Sequence, residues 1–345
     1  MRAIAVIEPG TVRLVEVNKP TVGPYQALVR IEAASLCNAT DGKLVAGHFP
    51  GVNQYPLVLG HESAGIVEAV GPKVRSFLLG ERVIGGLVFD FDDPRYASGW
   101  GGFCEYTLVN DHDAMVADGV ADAAHGWAEV FEIQRPVPGD ISVEDAVLLC
   151  TWREVYGGFG DFHLQPGQDV LIFGAGPVGL SFVRFARLLG LGYIGVVEKN
   201  EHKHTKALEL GADEVFTPES AELAKLSQRR GKPLDAVIDA VGHESVINAG
   251  LPLIKLGGSI CVYGVIADPL VHLDKGAGPY NFNLFVHQWP TRRRERAAME
   301  PLCAWIREGK LKAAEFITHE FPFQQINNAL DAAKGGLALK SLLRY

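Results

Sequence analysis

Hydrophobic positions along this chain change their spacing near Gln168. Before that point they come as short runs with partial alternation, the mark of half-buried strands. Arg2–Ile7 and Gln26–Ala34 are such runs, separated by punctuation such as Glu8-Pro9-Gly10. Val58–Val70 is a second β-rich stretch, interrupted by Gly60 and Gly65. Between Ile84 and Gly102 the residues turn to Gly, Asp and aromatics, which predicts a long irregular loop. Asn110–Asp140 keeps no single period and reads as an insertion.

Past Gln168, compact apolar runs alternate with helical periods. Asp169–Phe173 predicts a strand, followed by a Gly-rich turn and a helix over Val178–Leu189. Tyr193–Val197 is the next strand. A polar helix from Glu201 to Leu210 follows, with Gly211 placed as its C′ residue. Further strands are expected at Glu214–Phe216, Ala236–Asp239 and Ser259–Gly264. This alternation predicts an α/β fold, a doubly wound parallel sheet with helices on both faces. Beyond Tyr280, a helix over Glu300–Glu308 and a terminal strand, Lys340–Arg344, resume the pattern of the N-terminal part. There is no internal repeat and no low-complexity tract.

With 345 residues the chain is long enough for roughly two domains. Its 48% hydrophobic content and mean hydropathy of +0.10 suit buried cores, and its 39 glycines suit many tight turns. A net charge of −9 argues against nucleic-acid partners, because phosphate backbones reward clustered Lys and Arg. The basic run Arg292-Arg293-Arg294 is followed directly by Glu295 and reads as a solvated helix start. MRAIAVIEPG lacks the charged start and apolar core of a signal peptide, and no stretch approaches the roughly 18 apolar residues of a membrane span. Cys37, Cys104, Cys150, Cys261 and Cys303 are odd in number and widely spread, unlike a disulfide framework. A cytoplasmic protein with reduced thiols is expected, with no membrane partner.

Gly174-Ala175-Gly176-Pro177-Val178-Gly179 is G-x-G-x-x-G, directly after an expected strand and opening an expected helix. That context predicts dinucleotide binding. Gly174 permits the tight turn, Gly176 lets a pyrophosphate approach the backbone, and Gly179 allows close helix–strand packing. The helix start, with Pro177 and Val178, offers free N–H groups to the phosphates. Glu198 ends the second strand about 20 residues past the motif, where a carboxylate takes ribose hydroxyls and repels a 2′-phosphate. NAD is therefore expected over NADP, with Lys199 and Lys203 acting against that preference.

Three segments carry metal-ligand residue types beside apolar runs, where a rigid strand is expected to hold them: Cys37 after Val29–Leu36, His61-Glu62 before the next strand, and Cys150 after Ala146–Leu149. A cysteine alone is as much a small hydrophobe as a ligand. Gly60-His61-Glu62-Ser63-Ala64-Gly65 with Val70-Gly71, Gly80-Glu81-Arg82-Val83, and Gly101-Gly102-Phe103-Cys104-Glu105-Tyr106 together resemble the G-H-E-x-x-G, G-D-R-V and G-G-F-A-E-Y segments of the zinc-containing medium-chain alcohol/polyol dehydrogenases. The resemblance runs over nearly the whole chain. It implies a GroES-like β-rich catalytic domain, residues 1–150 completed by 286–345, and a Rossmann cofactor domain, 151–285. It implies one catalytic zinc held by Cys37, His61 and Cys150, with Glu62 either orienting His61 or entering the coordination sphere. The substrate implied is a secondary alcohol, polyol or sugar-type hydroxyl.

Three departures qualify the match. The family pattern C-x-[ST]-D is one residue longer here, Cys37-Asn38-Ala39-Thr40-Asp41. Thr40 is then the expected proton acceptor, with Lys43 or His48 as the onward relay. Many relatives carry four close cysteines between the second and third segments, whereas Ile84–Gly102 has none, so one zinc per chain is expected. The third departure is the insertion from about Asp111 to Arg135, with Trp127 and Phe131. Phe49, Phe89, Trp100, Trp152 and Glu154 lie near the expected ligands in sequence and suggest aromatic walls for the substrate. Competing readings are a zinc-free quinone- or enone-type reductase of the same fold and a non-catalytic nucleotide-binding structural protein. Complete Cys and His ligands count against both. The resemblance also implies a homodimer or homotetramer, paired through the last Rossmann strand near Ser259–Gly264.

Overall fold

In the computed structural model, which describes residues 1–336 and 338–345, the chain forms two compact units. One is Met1–Arg153 with Arg296–Tyr345; the other is Glu154–Glu295. The domain boundaries expected from sequence fall at 150/151 and 285/286. The units divide at 153/154 and 295/296, and both 150/151 and 153/154 lie within a long helix, Val143–Asp161, so no loop marks the first division.

The first unit is built on two sheets. In the larger, the strands Ile317–Pro322, Lys340–Arg344, Gln26–Ser35, Ser63–Val70, Arg82–Ile84 and Arg135–Pro136 lie side by side, and Tyr106–Asn110 also pairs with Gln26–Ser35. The smaller holds Thr11–Glu16, Arg2–Glu8, Leu57–Val58 and Ala97–Ser98. Buried Ile4, Val6, Leu36, Leu44, Leu57, Phe103 and Leu343 form one core cluster, and Ala27, Val29, Ile31, Val67 and Val109 another. Long-range pairing brings the C-terminal strand against Gln26–Ser35, which places Lys340 in the same sheet as the strand that leads into Cys37.

Glycine in the G-H-E-x-x-G segment is required by close approach. Gly60 has φ +102°, and a Cβ there would lie 2.3 Å from the Phe103 ring. At Gly65 a Cβ would meet the Arg30 carbonyl oxygen at 2.3 Å. A side chain at either would push apart the backbone on either side of His61 and Glu62.

The second unit is a six-stranded parallel sheet in the order Glu214–Phe216, Ile194–Val197, Val170–Phe173, Leu234–Asp239, Ile254–Val262, Asn283–Val286. This is the doubly wound order with its reversal beside Val170–Phe173, where dinucleotide sites form. The helix after that strand spans Pro177–Leu188. The expected polar helix begins as a 3-10 turn, Glu201–Lys203, before the α-helix His204–Leu210 closes at Gly211.

Two sequence expectations are corrected. Ala146–Leu149, a strand-like run before Cys150 by its sequence, is the interior of the Val143–Asp161 helix; a short apolar run does not distinguish the two states. The strand near Ser259–Gly264 is not the sheet edge, because Asn283–Val286 pairs outside it. The insertion folds as a helix, His112–Ala117, and two 3-10 turns. Asp111 caps that helix at Ala114 N–H and accepts from the Arg75 and Ser76 amides, which ties the segment down.

Candidate metal and dinucleotide sites

Cys37 follows the Gln26–Ser35 strand and precedes a short helix, Thr40–Ala46. His61 and Glu62 precede the Ser63–Val70 strand. These two segments bring one ligand atom each from Cys37, His61 and Glu62 within 4.8 Å of one another. Thiolate, imidazole and carboxylate together are a donor set suited to zinc. Buried groups around them fit such an ion. His61 Nδ1 is buried without a hydrogen-bond partner and lies 3.6 Å from Asp41 Oδ1, which is also unpartnered. The carboxylate thus faces one ring nitrogen and leaves Nε2 on the side of Glu62, whose Oε1 is 4.0 Å away.

Asp41 is fully buried, and its other oxygen accepts the Cys37 N–H at 2.8 Å. Burial pushes its carboxyl up to about 7, against the pull of His61 and of the Cys37 amide. Glu62 is also buried but shifts the other way. Burial opposes its ionisation, yet the Lys340 ammonium and His61 hold its pKa below the usual carboxylate range. Lys340 Nζ and Ser35 Oγ both donate to Glu62 Oε2, and Thr151 Oγ1 donates to Oε1 at 2.8 Å. Burial lowers the Lys340 pKa, but Glu62, Cys37 and Asp41 together raise it by more, so the Lys340–Glu62 pair is charged. Its desolvation is offset by these converging donors.

Cys150 is not gathered with the other three. It sits inside the Val143–Asp161 helix with its Sγ 3.8 Å from the Ser63 carbonyl oxygen. The helix face that carries it packs toward the strand beginning at Ser63, one residue beyond Glu62. Of the four metal residues expected from sequence, Cys37, His61 and Glu62 thus form the cluster, and Cys150 lies beside the strand that follows Glu62.

Thr40 is the first residue of the short helix, and Lys43 is half-buried one turn on. Burial lowers the Lys43 pKa, and Cys37 opposes the shift. His48 is exposed just past the helix end, its amide N–H donating to the Lys43 carbonyl at 2.9 Å. The aromatics separate into groups. Trp100 lies 5.5 Å from His61 and 5.5 Å from Phe49, ring centre to ring centre. Phe89 pairs instead with Phe131 of the insertion. Trp152 is buried against Phe316 and belongs to the core, and Glu154 accepts from Tyr263 Oη at 3.4 Å within the second unit.

In the second unit Gly174 has φ +97°, and a Cβ on Gly179 would lie 1.8 Å from the Gly174 oxygen. Both glycines are fixed by the turn and by helix–strand packing. Gly176 differs, since a Cβ there would meet nothing within 4 Å. The protein has no packing reason for glycine at that position, and the open space lies at the start of the Pro177–Leu188 helix, where a pyrophosphate fits. Glu198 is buried at the end of Ile194–Val197. Its carboxylate accepts the Ala175 N–H at 2.7 Å and the Asn200 N–H at 2.9 Å, which sets it against the glycine-rich loop. Lys199 is exposed and Lys203 half-buried beside it.

Asp41 is visible in the sequence only as the last residue of the C-x-[ST]-D pattern, and Ser35, Thr151 and Lys340 carry no role on sequence grounds. A lysine on a strand otherwise rich in leucine, Lys340–Arg344, is the one legible signal.

The Zinc-binding dehydrogenase family model matches residues 177–287, and the Alcohol dehydrogenase GroES-like domain matches 23–118. D-altritol 5-dehydrogenase of Agrobacterium fabrum is 31% identical over 276 residues, 77% of this chain and 77% of that protein. An alcohol dehydrogenase of Cupriavidus necator is 28% identical over 363 residues, covering 96% of this chain and 94% of its own. The solved structure of an alcohol dehydrogenase from Thermus sp. ATN1 superposes with a TM-score of 0.79 at 24% identity, covering 100% of this chain and 99% of that one. A sheet with a dinucleotide-type glycine loop and a β-rich unit with a Cys-His-Glu cluster define a metal-dependent dehydrogenase. The chain belongs to the zinc-binding alcohol dehydrogenases, and it is an oxidoreductase. Among the described residues no helix is long and apolar enough to cross a membrane.

Proposed function

We propose that the protein transfers a hydride reversibly between NAD, in preference to NADP, and a secondary alcohol, polyol or sugar-type hydroxyl. The observation that carries this is the convergence of Cys37, His61 and Glu62 within 4.8 Å in a chain of this family. These three residues would hold one zinc ion, with Cys150 the nearby fourth donor. Bound zinc supplies Lewis acidity that lowers an alcohol's pKa, and the dinucleotide supplies the hydride acceptor. Asp41 holds the His61 ring from its Nδ1 side. Lys340, Ser35 and Thr151 hold Glu62 charged and turned toward the core. Thr40 takes the alcohol proton at Oγ1 and passes it outward to Lys43 Nζ or to His48.

The pyrophosphate rests on Gly174–Gly179, and Glu198 reads the ribose, flanked by Lys199 and Lys203. Replacing Glu198 by Gln keeps the shape and removes the charge. The ratio of NADP to NAD turnover should then rise; an unchanged ratio would contradict the role. Activity itself is tested with a panel of secondary alcohols, polyols and sugars under both cofactors, and no turnover with any of them would sink the proposal.

A homo-oligomer forms through the edge strand Asn283–Val286, whose Leu284 and Val286 are 44% and 51% exposed. Alternate residues share one face of a strand, so the two form an apolar strip beside unpaired backbone. Light scattering should show a dimer or tetramer in the native protein and monomers in a Leu284→Glu/Val286→Glu variant. All five cysteines are unbridged, which supports a cytoplasmic location testable by cell fractionation.

A further inference from the structure

We infer that Trp100 determines substrate choice by presenting its indole face to the carbon chain beside the reacting hydroxyl, so that alcohols with an apolar substituent are favoured over acyclic polyols. This rests on the metal-site reading above and deepens it. Among the described residues, four besides glycine have a left-handed backbone: Asp92, Trp100, His163 and Glu219. Asp and His tolerate that region and Glu219 lies in a turn, whereas a bulky tryptophan at φ +71° is a true outlier.

The backbone around it is held from both sides. Gly99 N–H donates to the Val58 carbonyl at 2.7 Å, and Gly102 N–H to the Gly60 carbonyl at 2.7 Å. The Trp100 carbonyl accepts the Val88 N–H at 2.9 Å. The next residue, Gly101, has φ +65°, and a Cβ there would meet the Val88 oxygen at 2.5 Å. Strain that its surroundings enforce in this way is concentrated at ligand sites.

The ring so placed is only partly buried and lies 5.5 Å from His61, with Phe49 edge-on at a further 5.5 Å. A row runs from the metal-ligand imidazole through indole to phenyl. A substrate whose hydroxyl sits at His61 and Cys37 would lay its next carbons along that row. Each methylene placed there leaves water, while a hydroxyl on every carbon forfeits the gain. In the unreplaced protein, kcat/KM should therefore climb by about fourfold per methylene from 2-propanol to 2-hexanol.

The test is steady-state kinetics of the zinc-loaded protein with 2-propanol, 2-butanol, 2-hexanol and sorbitol, alongside melting temperatures. Trp100→Ala should flatten the chain-length series to nearly one, lowering kcat/KM for 2-hexanol by many times the factor it changes that for 2-propanol or sorbitol. Trp100→Phe should keep most of the slope. If Trp100→Ala lowers all four substrates by one common factor together with the melting temperature, the ring is only packing and the inference is overturned. An undiminished slope in Trp100→Ala overturns it as well. Failure of the unreplaced protein to turn over any of the four would instead count against the proposed function.

Discussion

Replacing Lys340 by Met breaks the buried Lys340–Glu62 ion pair at the metal site. The methionine keeps the apolar stem and roughly the volume, so the change isolates the charge. Glu62 would retain donors from Ser35 and Thr151 but lose the ammonium that holds its pKa down. A carboxylate left buried without its partner costs about 3–5 kcal/mol. For a domain of this size that is a fall in melting temperature of roughly 10 °C. Glu62 relieves part of the cost by taking up a proton, so its pKa rises and the loss is worst at neutral pH and above. The double variant Lys340→Met/Glu62→Gln removes both charges and should recover most of the stability, although its zinc affinity stays low. Thermal melts of the four proteins of this cycle, run in chelator so that metal does not contribute, give the coupling. A cost below about 1 kcal/mol for Lys340→Met, or a double variant no more stable than the single, would refute the charged buried pair.

Cys37→Ser and His61→Ala should each lose zinc by elemental analysis, and activity with it, while NAD affinity measured by calorimetry stays the same. The two glycines of the loop make opposite predictions. Gly179→Ala forces a Cβ to 1.8 Å from backbone and should abolish dinucleotide binding through misfolding of the loop, visible as a lower melting temperature. Gly176→Ala meets no protein atom within 4 Å, so the fold should melt within about 1 kcal/mol of the original while dinucleotide affinity falls. Asp169 is held at about 2 because Lys232, the Tyr193 amide and Arg230 overcome the opposing effect of burial. Its folded pKa lies below the usual 3.8, so its contribution of about 2 kcal/mol is present above pH 3.8 and is lost as pH falls toward 2. Asp169→Asn should flatten the stability curve across that window in acid melts.

Local chemistry explains what is legible in the sequence. Gly174 is required by its positive φ, and Gly179, Gly60 and Gly65 by close approach of neighbouring atoms, so their spacing survives as a motif. The strands Glu214–Phe216 and Lys340–Arg344 agree with expectation to the residue, because apolar runs bounded by turn residues report burial directly. The surroundings of Cys150 do not follow from its sequence, because an apolar run of four residues fits a buried helix as well as a strand. The edge strand Asn283–Val286 is illegible because its exposed leucine and valine lack the buried face that marks a strand. Lys340 escapes for a different reason. It reaches Glu62 across 278 residues, and a partner at that distance leaves no spacing to read.

The most direct measurement is alcohol-dependent NADH formation, followed by its absorbance, before and after zinc is stripped by a chelator and titrated back. Activity should vanish with the metal and return in proportion to added zinc, reaching its plateau at one ion per chain. Full turnover in protein shown by elemental analysis to hold no zinc would contradict the account.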